Sequence, residues 1–162
     1  MLLFFLFSSL GLTTHAQNVG VGTQDPSARL HINHVVDDST LFTSGFEDGT
    51  LGILTTFGQG FWEVTSEQFF EGNYSATSGE LGDSDTATLQ LVIDVPANRT
   101  GFLTFMADVE SEENEDFLYF TDNGDTIWRT SGDQEWQEVT QVLLDGNHGA
   151  ATIKWRYAGG GA

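Results

Sequence analysis

Thr88-Leu89-Gln90-Leu91-Val92-Ile93-Asp94-Val95-Pro96 is the stretch that decides the fold. Leu89, Leu91, Ile93 and Val95 alternate with Thr88, Gln90, Val92 and Asp94, the period of two that sends successive side chains to opposite faces of a strand. Pro96 has no N–H for a sheet ladder and closes the run. Working outward, Leu103, Phe105, Ala107 and Val109 form the next row expected to be buried. Phe117 to Phe120 reads as a short apolar strand. Asp122-Asn123-Gly124-Asp125 then predicts a hairpin turn, because Asn-Gly takes positive φ at little cost, and Ile127-Trp128-Arg129 returns antiparallel. Trp136 to Leu144 gives another strand, and Asp145-Gly146-Asn147-His148-Gly149 turns the chain. In the last strand Ile153, Trp155 and Tyr157 alternate with Thr152, Lys154 and Arg156. Seven or so strands with Gly, Asp and Asn turns, and no helical period between them, predict an all-β, antiparallel β-sandwich.

The N-terminus reads differently. Leu2 to Leu12 is almost wholly apolar, and Thr14-His15-Ala16 offers small residues at the two positions a signal peptidase inspects. Residues 1–16 are therefore expected to be an export signal cleaved before Gln17, although no Lys or Arg precedes the apolar run. The run is shorter than the roughly 20 residues a membrane-spanning helix needs, and no second run of membrane length follows. The mature chain is expected outside the cell or on a bacterial cell surface, without membrane insertion.

Roughly 145 residues then remain, enough for one domain with a core. There is no cysteine, so an exported domain must be held by packing, metal or neighbours. The formal charge is −19, from 24 acidic and 5 basic residues. Such a field disfavours nucleic acid and anionic membrane as partners. It is compatible with calcium, with a saline environment, or with simple solubility. The 13 Phe, 4 Trp and 3 Tyr argue against disorder as the meaning of that charge.

Residues 17–40 form a segment of their own, ahead of a main domain at 41–162. Val19-Gly20-Val21-Gly22-Thr23 alternates apolar residues with Gly, Asp25-Pro26 marks a turn, and Ala28-Arg29-Leu30-His31-Ile32 looks like one short strand. A segment with so few large apolar side chains cannot fold alone. It packs on the main domain, serves as a linker, or joins equivalent segments of other chains.

Both parts resemble known elements. Residues 18–32, with Gly20, Gly22, Thr23, Pro26, Leu30 and His31, resemble the VGIGT-x-x-P-x-x-x-L-H element of bacterial exported surface proteins and phage tail-fibre-like proteins. That likeness implies self-association through residues 18–32. Residues 45–157 resemble the MAM-like (concanavalin-like) jelly-roll domain of bacterial secreted proteins. The likeness rests on Phe46-Glu47-Asp48-Gly49, on Trp62-Glu63-Val64, and on Gly72-Asn73-Tyr74-Ser75-Ala76-Thr77-Ser78-Gly79-Glu80-Leu81-Gly82-Asp83. It continues through Ser111 to Phe120, Gly132-Asp133-Gln134-Glu135-Trp136, and Gly146-Asn147-His148 leading to Trp155 and Tyr157. The resemblance implies a jelly roll. The family continues to a final strand of the A-W-x-D type that is not in this sequence, so an open sheet edge is expected.

The same resemblance implies a calcium site formed by Glu47 of the opening strand with Asp83 and Asp85 of the Ser-Gly-x-x-Gly-Asp loop, calcium favouring six to eight hard oxygens. The plainer reading of these carboxylates is turn capping. Glu110, Glu112, Glu113, Glu115 and Asp116 form the densest acidic run, read as a solvated loop rather than a second cation site. Its acids are consecutive and so do not line up on one strand face, as a glycosidase's carboxylates must. No Gly-x-Ser-x-Gly elbow is present, and no pair of His has metal spacing. The domain is accordingly expected not to be an enzyme. Among the tryptophans, Trp62 and Trp155 fit buried strand positions, whereas Trp128 and Trp136 flank a turn and are the candidates for stacking on a sugar. The expected function is an extracellular recognition or adhesion module that binds a glycan or a protein. The alternatives are an accessory domain of a secreted hydrolase and a structural segment of an oligomeric fibre.

Overall fold

The computed structural model describes residues 27–34, 41–97, 100–143 and 150–160. The export signal, residues 17–26 of the Gly-rich element and the turn at 145–149 lie outside the described residues.

The described residues form eleven strands: β1 (Ser27–His34), β2 (Thr43–Ser44), β3 (Thr55–Gly58), β4 (Glu63–Thr65), β5 (Ser75–Thr77), β6 (Thr86–Asp94), β7 (Gly101–Glu110), β8 (Phe117–Asp122), β9 (Asp125–Thr130), β10 (Gln134–Leu143) and β11 (Ala150–Ala158). They form two antiparallel sheets. The first runs β10-β7-β1-β5-β4, with β2 also paired to β1, and the second runs β3-β6-β11-β8-β9. The chain is an all-β sandwich, as its alternation predicts.

Of the roles open to residues 17–40, the described part takes the first. β1 pairs with β7 along eight residues, Ser27↔Glu110 to His34↔Leu103, and with β5 on its other side. Ala28, Leu30 and Ile32 are wholly buried. Residues 27–34 are thus an internal strand of the sandwich, and a boundary at 41 would cut through a sheet. Nor is there an open edge beside β11, which is paired with β6 on one side and β8 on the other.

The inward rows are those that alternation selects. Leu89, Leu91, Leu103, Phe105, Ala107, Val109, Ile153, Trp155 and Tyr157 are buried, and Trp62 is 2% exposed. Phe105 ties the sheets together. From β7 its ring meets Phe120 of β8 at 4.9 Å, Trp155 of β11 at 5.7 Å and Trp128 of β9 at 5.8 Å, the last two edge-on. Offset and edge-on pairs of this kind contribute beyond the area they bury. The β8–β9 hairpin turns at Asn123 and Gly124, both with positive φ (49° and 98°). After β11, Gly159 donates to Asp85 O at 3.0 Å and Gly160 to Asp116 Oδ1 at 2.7 Å. A Cβ at residue 160 would lie 2.7 Å from Glu115 O, so only glycine passes between the two acidic loops.

Candidate functional site

Each sheet has one face turned outward, and the two differ. On the first sheet, β1 and β7 place Arg29 opposite Asp108 and His31 opposite Met106. These outward side chains are nonetheless buried: His31 is 7% exposed and Asp108 6%. Gly45, just after β2, lies close against the His31 ring, and residues 66–74, which join β4 to β5, run over the same face. Ser75, on β5, donates its hydroxyl to Gln68 O at 2.6 Å and so holds this loop against the face. Phe70 then reaches Trp136 of β10, ring centroids 6.0 Å apart. β4 and β10 are the two edges of that sheet, about 19 Å apart at the usual strand spacing. Contact between Phe70 and Trp136 therefore requires the loop to cross the sheet.

Glu47 anchors the same loop. Asn73 N (3.0 Å) and Tyr74 N (3.1 Å) donate to its Oε1, and Asn73 Nδ2 donates to its Oε2 at 3.2 Å. These bonds, led by that from the Asn73 amide, hold the Glu47 carboxyl below the usual carboxylate range. Gly72 has φ +79°, and a Cβ there would collide with the Glu47 carboxylate. Under the loop, Arg29 Nη1 donates to Asp108 Oδ1 at 3.0 Å and Arg29 Nη2 lies 3.9 Å from Glu110. Burial pushes the Asp108 carboxyl up, and the Arg29 guanidinium only partly offsets it.

The expected sites divide as follows. Glu47 uses its oxygens within the chain. Asp83 is exposed and Asp85 half-buried in the turn that receives Gly159. Among the described residues no three His, Cys, Asp or Glu side chains group as a metal would need, so Glu47, Asp83 and Asp85 are not brought together as calcium donors. Trp128 packs edge-on against Phe105 and belongs to the core margin, not to a platform. Trp136 is half-buried against Phe70. In the acidic run, Glu112, Glu113 and Glu115 are exposed, as a solvated loop would be, whereas Asp116 is buried and receives Gly160.

The outer face of the second sheet holds what local reading missed. Register places Phe57, Thr88, Arg156, Tyr119 and Arg129 in one row across all five strands. Directly paired residues point to the same side of an antiparallel sheet, so these five share a face. The next row is Thr55, Gln90, Lys154, Thr121 and Thr126, and Thr86, Ala158 and Phe117 stand on the other side. Arg156 lies 4.6 Å above the Tyr119 ring and Arg129 lies 5.1 Å above that of Phe117, while the two rings are 5.7 Å apart. Phe57 is 51% exposed, and Arg129 and Arg156 are exposed. The alternation of Lys154 and Arg156 with buried Ile153, Trp155 and Tyr157 is the one signal in the sequence that could have exposed this face.

No protein-family model and no curated protein matches the chain. Among solved structures, it is similar to the module of "TmCBM61 in complex with beta-1,4-galactotriose", with TM-score 0.51 and 20% sequence identity, over 73% of this chain and 86% of that one. At such identity the likeness concerns the fold, a β-sandwich.

Proposed function

We propose that this chain is a non-catalytic glycan-recognition module, exported and carried at a bacterial surface or in a secreted protein. The observation that carries the reading is the outer face of the second sheet. It sets exposed Phe57 in one row with hydrogen-bonding side chains of Thr88 and Arg156, and the next row adds Gln90 and Lys154. Sugars are bound by a ring that stacks on their C–H face and by polar side chains that fix their hydroxyls. Such a row supplies both on rigid strands. The opposite outer face is crossed by its own loop, which leaves this one as the binding surface. The galactotriose complex of the similar structure supports glycan as the ligand class.

Affinity electrophoresis of the full chain through gels containing β-1,4-galactan, xylan or polygalacturonate tests the reading. At least one polymer is expected to retard the protein, and Phe57→Ala to reduce the retardation. Migration unchanged in every gel would overturn it.

A further inference from the structure

We propose that the outer face of the second sheet selects acidic polysaccharide, binding the carboxylates of uronic-acid residues through Arg129, Lys154 and Arg156. The inference rests on the glycan reading and names the ligand class of the same surface.

The first ground is where the positive charge lies. The chain has 5 basic residues against 24 acidic ones. Three of the five, Arg129, Lys154 and Arg156, stand on this one face. The outward-facing rows through Thr86, Thr88, Gln90 and Val92 carry no acidic residue. Exposed Asp94 stands on the same face at the far end of β6, opposite Ala150, and exposed Asp125 lies at the hairpin end of β9. In a chain so acidic, a patch where three cations gather between such acids is a local reversal of the field.

The second ground is what these cations do not do. Among the described residues, ion pairs are formed by Arg29, with Asp108 and Glu110. Arg129, Lys154 and Arg156 have no carboxylate partner there. Instead, the two guanidiniums rest on the Tyr119 and Phe117 rings. A guanidinium lying over a ring keeps the N–H groups along its edge, and the stacking removes some of the side-chain freedom that binding must otherwise freeze. The planar fork matches a carboxylate in bidentate fashion.

The third ground is scale. Arg156 and Arg129 are two strands apart, about 10 Å, and Lys154 is two residues from Arg156 along β11, about 7 Å. The cations therefore present an array, as a polymer with repeated carboxylates requires, and Phe57 extends the row by another two strands. Acids on the first sheet's outer face are farther away than the roughly 10 Å between packed sheets. Arg129, Lys154 and Arg156 are therefore nearer to a ligand on this face than those acids are.

The test is affinity electrophoresis and titration calorimetry of the full chain with polygalacturonate, neutral β-1,4-galactan and double-stranded DNA, at low and high salt. Polygalacturonate should bind most tightly, weaken with salt, and lose about tenfold or more in affinity in Arg156→Gln and in Arg129→Gln, the scale of one charge-assisted hydrogen bond. Both variants lie on an exposed face, and their melting should match that of the parent chain. Binding of galactan with no preference for polygalacturonate, unchanged in both variants, would overturn the inference and leave the glycan reading intact. Failure of both polysaccharides to bind would overturn the inference, and the glycan reading with it where xylan also leaves migration unchanged. DNA binding as tight as polygalacturonate would overturn the inference by showing charge without sugar recognition. A salt-sensitive dimer abolished by Arg156→Gln would assign the face to a second copy of the chain and overturn it as well.

Discussion

Arg29 and Asp108 stand opposite each other on neighbouring strands, and their side chains are 15% and 9% exposed. A charge so placed is costly once its partner is gone. Arg29→Leu is expected to destabilise the chain by about 3 kcal/mol near neutral pH, the low end for a broken buried pair because Arg29 keeps some contact with water. The sign of the pH effect follows from Asp108. Its carboxyl is already raised by burial. Without Arg29 it rises further, so the folded variant takes up a proton sooner than the unfolded chain. The deficit should therefore shrink as pH falls through that raised value, and urea unfolding of parent and variant at neutral and mildly acidic pH measures it. A deficit that grew in acid would contradict the pairing.

At the scale of elements, the 66–74 loop depends on one carboxylate. Glu47 receives the Asn73 and Tyr74 amides, and its carboxyl is lowered by them. That stabilisation is present above the unfolded chain's carboxyl range and is lost as pH falls through the lower folded value. Glu47→Ala is expected to speed hydrogen exchange at the amides of Asn73 and Tyr74 with little change in β7 or β11. Acid should loosen the same amides in the parent chain. Exchange left unchanged at both amides would show that the loop is held otherwise. The elements themselves were legible wherever alternation is long. β6, β7 and β11 follow from Leu89-Leu91, Leu103-Phe105 and Ile153-Trp155, β10 from the run Trp136 to Leu144, and the β8–β9 turn from Asn123-Gly124. The strands β2 to β5 have two to four residues each and leave too short a trace for a period. The cation row was invisible for another reason. Phe57, Thr88, Tyr119, Arg129 and Arg156 come from five strands, and only pairing register brings them together. Likewise, Trp128 beside a turn gave no hint that Phe105 lies behind it.

For the whole molecule, the net charge of −19 acts against the compact state through self-repulsion. Salt screens repulsion between exposed acids such as Glu112, Glu113 and Glu115. The melting temperature is expected to rise between low and moderate sodium chloride, as followed by circular dichroism. A fall with salt would mean that attractive pairs dominate the surface, contrary to the few ion pairs described. Another whole-molecule property follows from where the sheets find their middle strands. β1, the first described strand, lies inside one sheet, and β11, the last, lies inside the other. β1 finds β2 and β5 first, but its eight-residue pairing is with β7, on the order of 70 positions later, and β3-β6 stays apart from β8-β9 until β11 has been made. Pairings so distant in sequence slow folding, because loop closure precedes any reward from contacts. A chain of this design completes its second sheet only when β11, the last described strand, has entered between β6 and β8. Slow completion of this kind leaves the second sheet in two halves, β3-β6 and β8-β9, each showing an unpaired edge until β11 joins them.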